Sequence, residues 1–258
     1  MYQNFPDVDQ NLISLDIYVP TFNLTNNIHI DFKSIKNKSS TPFPNQIKKN
    51  ILSENNKMPV MIWVHGSGWI QGDKANSLDY KIPFFINNGW IFVSVNYRLS
   101  PEDLPTSPSE LNPDRIKYPV HSQDVTSAIS WAYTTIYQYG GDPDYISIMG
   151  HSAGTGIVAS IGTNKSFLEE HELCFDIIRH VICLDTAAYD IRNRCEMGSM
   201  LYLTFGTDPV IWDAASPLNN IETEEGLPSF FVVVQGSQRR IDQNIRFVEK
   251  VNQTETKT

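Results

Sequence analysis

Apolar and polar positions alternate from Leu12 to Val19, around Leu15-Asp16-Ile17-Tyr18, and the pattern stops at Pro20. Period-two alternation closed by proline predicts an exposed early strand. From Phe22 to Lys57 the chain turns to Asn, Lys, Ser, Thr and Pro with scattered apolar residues. That stretch is too polar for a core and too long for an ordinary connection, so it predicts a partly disordered surface insertion at about 22–57. Pro59-Val-Met-Ile-Trp-Val64 is continuously apolar, as a strand covered on both faces of a parallel sheet must be. A helical segment near Tyr80 to Asn87, closed by Gly89, leads to a second buried strand, Ile91-Phe-Val-Ser-Val95. A proline-rich loop then runs to Pro119.

A helix is predicted from about His121 to Tyr139, because Val125, Ala128, Ile129 and Ala132 recur at helical spacing before Gly140-Gly141. Tyr145 to Met149 reads as a strand and Ile157 to Ile161 as the flank of a helix. Ile178 to Leu184 is another strand, followed by a loop with a short helix through Trp212. Ser229 to Gln235 is the last clear strand and Ile241 to Val251 its helix. Strands alternating with helices predict one α/β domain over residues 1–258, a doubly wound and mostly parallel sheet flanked by helices. Function is then expected at the carboxyl ends of the strands.

Composition narrows the chemistry. A net charge of −9 and no Lys/Arg cluster argue against a nucleic-acid groove or an anionic membrane partner, and leave neutral or cationic small substrates open. Cys174, Cys183 and Cys195 are odd in number and lack C-x-x-C spacing, so neither a zinc site nor a disulfide framework is expected. The first residues lack a basic start and an apolar run, and no stretch approaches a membrane helix, which points to a cytoplasmic protein. Four N-x-[ST] sequons, at Asn23, Asn37, Asn164 and Asn252, read as chance in an Asn-rich sequence.

The most specific chemistry lies at Gly150-His-Ser-Ala-Gly154, where the apolar run ends and a helix begins. G-x-S-x-G between strand and helix is the pattern of a nucleophile elbow, which makes Ser152 the candidate nucleophile. A serine hydroxyl is a poor nucleophile at neutral pH and needs a base, usually His held by a carboxylate, and donors for the oxyanion. Candidate donors are the amide of Ala153 and those of Gly66, Ser67 and Gly68, in the loop after the strand that ends at Val64. No G-x-G-x-x-G follows the first strand, which excludes a dinucleotide-binding reading.

Taken together, His65-Gly-Ser-Gly-Trp69, Gly72-Asp73, Asn96-Tyr-Arg-Leu-Ser-Pro101, Tyr118-Pro119, Asp124, Trp131, Tyr139-Gly-Gly-Asp-Pro143 and Gly150-His-Ser-Ala-Gly154 resemble the α/β-hydrolase fold. Within it the chain is similar to the esterase/kynurenine-formamidase, BD-FAE-like branch. The resemblance implies hydrolysis of carboxylic esters or N-formyl amides through an acyl-enzyme at Ser152, without metal or organic cofactor. It also implies that His65 braces the oxyanion loop. Ser67 stands where the formamidases have glycine, so a positive φ there would add strain.

The family places its acid after the strand matching Ser229 to Gln235, where this chain has Gln238 and Arg239, with Asp242 displaced into the helix. Asp185 and Asp190, after Leu184, are placed either to orient a base or only to cap turns. Asp142 and Asp144 are expected to shape the turn before the elbow strand, and Glu222 to Glu225 to form a solvated loop. Beyond Val251 only Asn-Gln-Thr-Glu-Thr-Lys-Thr follows, so the family's final strand and helix and its catalytic His are expected to be missing by truncation. His29, His65, His121, His151, His171 and His180 all stand elsewhere, and His121 reads as a helix-terminal residue. Two expectations remain: a weak or inactive hydrolase of a small-molecule ester or formamide, or a non-catalytic homologue that binds a ligand or a protein partner. Trp69, Tyr97 and Trp212 read equally as pocket walls or as core.

Overall fold

The structure, a computed structural model, describes residues 9–20, 33–36, 57–101, 107–195, 200–222 and 226–254. These contain seven strands of one sheet: β1 (Leu15–Val19), β2 (Lys33–Lys36), β3 (Met58–Val64), β4 (Ile91–Val95), β5 (Gly141–His151), β6 (Ile178–Leu184) and β7 (Ser229–Val233). Their order is β2-β1-β4-β3-β5-β6-β7. β1 runs antiparallel to β2 and β4, and the remaining pairs are parallel. The helices are α1 (Lys81–Asn87), α2 (Val120–Thr135), α3 (Ala153–Thr163), α4 (Ser166–Glu169), α5 (Ile191–Arg194), α6 (Met200–Phe205), α7 (Pro209–Ala214), α8 (Pro217–Asn220) and α9 (Gln238–Val251).

Side-chain alternation along the strands makes the fold two-sided. Val60, Ile62 and Val64 of β3 join Val125 and Ile129 of α2, Ile157 and Val158 of α3 and Phe247 of α9 in the main core. Met61 and Trp63 point the other way and meet Ile86 of α1. Both faces are therefore covered at β3 and β4, which is why those runs are apolar apart from Ser94, whose buried hydroxyl donates to Lys74 O at 2.6 Å. β7 borders the described sheet: Phe230 packs edge-on against Phe247, while Phe231 stays 60% exposed.

Three expectations change. β1 is not exposed: Leu15, Asp16, Ile17 and Val19 are buried, because β2 covers one edge and β4 the other. The segment read as a surface insertion supplies that covering strand, Lys33–Lys36; the rest of 22–57, apart from Lys57, lies outside the described residues. The expected loop through Trp212 holds four short helices, α5 to α8. Smaller differences have local causes. α2 gives way to a 3₁₀ turn at Ile136, ended by left-handed Gly140, and Asp142 and Asp144 lie within β5, the Asp144 amide donating to Asp142 Oδ1 at 3.1 Å.

The loop after β4 is pinned to α2. Arg98 donates from its backbone amide and guanidinium to Asp124, whose carboxylate is inaccessible to solvent. Next to it, His121 Nε2 lies 3.1 Å from Ser100 Oγ. His121 stands at the start of α2, as expected, and is wholly buried there; burial, aided by the Arg98 charge, pushes its pKa from 6.5 down to about 3. The unfolded chain therefore takes up this proton near pH 6.5 while the folded chain refuses it, so stability is intact above that pH and falls as the pH is lowered. At about 1.4 kcal/mol per pH unit, roughly 2 kcal/mol is expected to be lost between pH 6.5 and pH 5. Urea midpoints across that range should show the slope, and His121→Asn should flatten it; an unchanged slope would assign it to other groups.

Candidate active site

The elbow is built by close packing. β5 ends at His151 and α3 starts at Ala153, leaving Ser152 between them at φ 53° and ψ −113°. A non-glycine residue in that region is strained and persists only where its surroundings over-determine it. Here the Ser152 amide donates to Leu184 O at 2.9 Å, Thr186 Oγ1 donates to Ser152 O at 2.9 Å, and Thr155 Oγ1 donates to Gly150 O at 2.7 Å. Gly154 runs against the ends of β3, and a Cβ there would stand 2.5 Å from the His65 carbonyl oxygen and closer still to that of Val64. Ala153 occupies the first helical position, where an amide has no intrahelical acceptor and faces outward.

The loop after β3 lies against this turn, since a Cβ on Gly66 would be 2.7 Å from His151 O and 3.2 Å from Ser152 Cβ. Ser67, Gly68 and Trp69 have φ of 78°, 68° and 65°. Ser67 thus adopts the left-handed conformation that glycine takes without penalty. The loop is tied down from behind: Ser100 N donates to Trp69 O, and Asn96 donates to Asp73 and accepts from the Lys74 amide. Burial alone would raise the Asp73 pKa, but the Asn96, Ala75 and Asn11 hydrogen bonds outweigh it and hold the carboxyl below its usual value. These contacts account for Asp73 and Asn96, and Gly72 is required because a Cβ there would collide with His65 Nδ1.

A cleft of about 230 Å³ opens over Ser152 and Ala153 and is bordered by Gly68, Trp69, Asp185 and Thr186. Trp69 and Tyr97 are both buried: Trp69 meets Phe205 edge-on at 5.1 Å, and Tyr97 stacks on His65 at 4.5 Å. Trp212 donates its indole N–H to Gly206 O.

His65 Nδ1 is 3.0 Å from Gly66 O, and since a carbonyl only accepts, Nδ1 carries the proton. Its Nε2 is buried without a partner among the described residues, and burial lowers its pKa. This is a bracing geometry. His151 is exposed, with its ring beside Gly66; His171 faces Ser127, and His180 Nδ1 faces Ser147 Oγ at 2.9 Å. His29 lies outside the described residues. Among the described residues no histidine hydrogen-bonds the Ser152 hydroxyl.

The carboxylates separate cleanly. Asp242 is exposed on α9 and held by Gln238, and Asp190 caps α5 by accepting from Asn193 N. Neither borders the cleft; Asp185 does. Asp185 accepts from Gln235 N at 3.2 Å and from Arg240 Nη1 at 2.8 Å. Burial would raise its pKa, yet these partners keep it low, so Asp185 is a weak base. The cleft also has a wall that sequence reading missed, Arg194, Arg239 and Arg240. The adjacent Arg239-Arg240 pair just after a strand was its only signal. Among the described residues no group of three His, Cys, Asp or Glu side chains is arranged to hold a metal ion. No described helix is long and apolar enough to cross a membrane.

A family model described as BD-FAE matches residues 47–241. The chain belongs to the BD-FAE family. This BD-FAE chain is 30% identical over 193 residues to esterase LipQ of Mycobacterium tuberculosis, covering 70% of the chain and 42% of LipQ. It is 31% identical over 209 residues to esterase LipC of the same organism, covering 75% of the chain and 48% of LipC. It therefore spans less than half the length of these curated relatives. Thermogutta terrifontis esterase 2 in its apo form superposes with a TM-score of 0.65 at 19% identity, over 99% of this chain and 78% of that one. An arylesterase structure gives 0.61 at 20% identity, over 78% of this chain and 65% of that one. The chain thus has the α/β-hydrolase fold of these solved esterases.

Proposed function

We propose that the protein hydrolyses carboxylic esters of small molecules through an acyl-enzyme at Ser152, with the amides of Ala153 and of the Gly66–Gly68 loop receiving the oxyanion. One observation carries this reading: strained Ser152, at the head of α3, shares a cleft with Gly68 and Trp69 of the left-handed loop after β3. In the reaction, Ser152 Oγ attacks the ester carbonyl, the alkoxide leaves with a proton, and water then releases the acid. The amides act as the negative oxygen forms; one such donor is worth about 3–4 kcal/mol elsewhere. With no imidazole bonded to Ser152 among the described residues, the hydroxyl proton passes to solvent. The rate should then fall to about 10³- to 10⁴-fold over water, the level that binding and an oxyanion hole sustain alone. N-formyl amides are the second substrate class, expected to react more slowly because an amine leaves less readily.

The test is p-nitrophenyl acetate and N-formylkynurenine turnover, with intact-mass analysis for an acetyl adduct. Slow turnover and an adduct, both lost in Ser152→Ala, are expected. Unchanged turnover in Ser152→Ala would overturn the role of Ser152. No adduct and no turnover in the wild type would favour a non-catalytic protein that binds its ligand in the same cleft. Fast turnover abolished by Ser152→Ala would keep the nucleophile and sink the assignment of a slow, base-free rate.

A further inference from the structure

We infer that Trp69 sets the length of the acyl group that the cleft accepts, by closing the cleft against a second, smaller cavity. This specificity rests on the reading of Ser152 as the residue that carries the acyl group. The cleft over Ser152 and the inner cavity, of about 10 Å³, share three wall residues, Trp69, Ala188 and Ile191. All three are buried, whereas Arg239, also on the border of the cleft, is exposed. The cleft thus has an open end, through which a leaving alcohol departs, and a closed end. The closed end is left for the acyl group, which stays on Ser152 after the alcohol has gone.

The elbow helix supplies the line between the two spaces. Ser152 caps α3, and Gly156 and Ser160 follow it at four-residue intervals along one face. Ser152 borders the cleft, while Gly156 and Ser160 border the inner cavity. Gly156 lies about 6 Å beyond Ser152 along the helix axis, a distance that an acyl chain of about four carbons spans. There the passage is shut. A Cβ on Gly156 would stand 3.0 Å from Ala188 Cβ and 3.1 Å from Trp69 Cζ2, so the indole and Ala188 rest directly on the glycine. The indole is held there by its edge contact with Phe205, and its backbone by the hydrogen bond from Ser100 N to Trp69 O. Behind it, His121, Ser122 and Ser160 give the inner cavity polar walls. A space of that size and polarity suits one water rather than an alkyl end. Short acyl groups therefore fit in front of Trp69, and longer ones meet its ring. Removing the indole joins the two spaces and adds its own volume to them.

The experiment measures binding, apart from turnover, in a Ser152→Ala background. Methyl butyrate and methyl hexanoate are titrated by calorimetry with Trp69 intact and in Trp69→Ala. With Trp69 intact, hexanoate is expected to bind no tighter than butyrate, because its two extra methylenes find no apolar space. In Trp69→Ala it should bind roughly tenfold tighter than butyrate, the gain from burying two methylenes. Should Trp69→Ala fail to fold, Trp69→Leu and Gly156→Ala decide. The leucine should give part of the gain, and the alanine, by pushing the indole off α3, should weaken methyl butyrate several-fold against methyl acetate. A residue that only fills the core would change the unfolding midpoint and leave these ratios alone. Hexanoate already tenfold tighter with Trp69 intact, ratios untouched by the variants, a gain that follows the alcohol chain of propyl and pentyl acetate instead, or no binding at millimolar concentration overturns the proposal. None of these outcomes bears on acylation of Ser152, which is read separately from the acetyl adduct.

Discussion

Asp124→Ala is expected to destabilise the protein by about 3–5 kcal/mol, the usual result of removing one member of a buried ion pair. Asp124 has no solvent exposure, and it takes hydrogen bonds of 2.6–3.1 Å from the Arg98 guanidinium and one of 2.9 Å from the Arg98 amide. Removing the carboxylate takes the Asp124 acceptor from a mostly buried cation and from a backbone donor together. The damage should reach the active site, because the loop held by Arg98 continues to Ser100, whose amide carries the Trp69 carbonyl. Urea unfolding should show the loss, and Ser152 labelling should slow in the fraction that remains folded. The double variant Arg98→Met/Asp124→Leu should recover much of the stability, since apolar replacement of a buried pair is often neutral or better. A loss below about 1 kcal/mol in Asp124→Ala would mean that water reaches the pair.

Gly154→Ala should cost at least about 3 kcal/mol, the upper end of ordinary overpacking, and distort the elbow. The new methyl meets the Val64 and His65 carbonyl oxygens, which are backbone atoms at the end of a central strand and have no rotamer by which to move aside. Relief requires α3 to withdraw from β3, and that movement carries the Ala153 amide away from the cleft. Gly89→Ala supplies the control: Gly89 also has a positive φ, of 78°, but nothing lies within 4 Å of the added carbon. It should lose only about 1–2 kcal/mol, the penalty for a left-handed alanine. Similar denaturation midpoints for the two variants would show that close approach is not what requires glycine at 154.

Much of the fold was legible because strands covered on both faces must be mostly apolar. Ile91–Val95 and Ile178–Leu184 have the limits that their sequence pattern predicts. The elbow was legible for the same local reason, as a small-residue turn joining such a strand to a helix. Burial of β1 was not, since its polar-apolar alternation describes the strand alone and not the strand that pairs with its outer edge. His121 stands at the helix start, as its local sequence indicates, but its burial comes from the loop packed over it and was not legible.

By itself, then, the sequence determined the order of strands and helices, the turn that carries Ser152 and the small-residue loop beside it. These follow from backbone sterics and from burial within a few residues of chain. Only the tertiary structure decided that Asp185, rather than Asp190 or Asp242, borders the cleft, and that arginines from separate segments line it. Arg240 and Asp185 stand 55 residues apart, and their pairing depends on where α9 lands against the end of β6, a distance that no periodicity along the chain encodes.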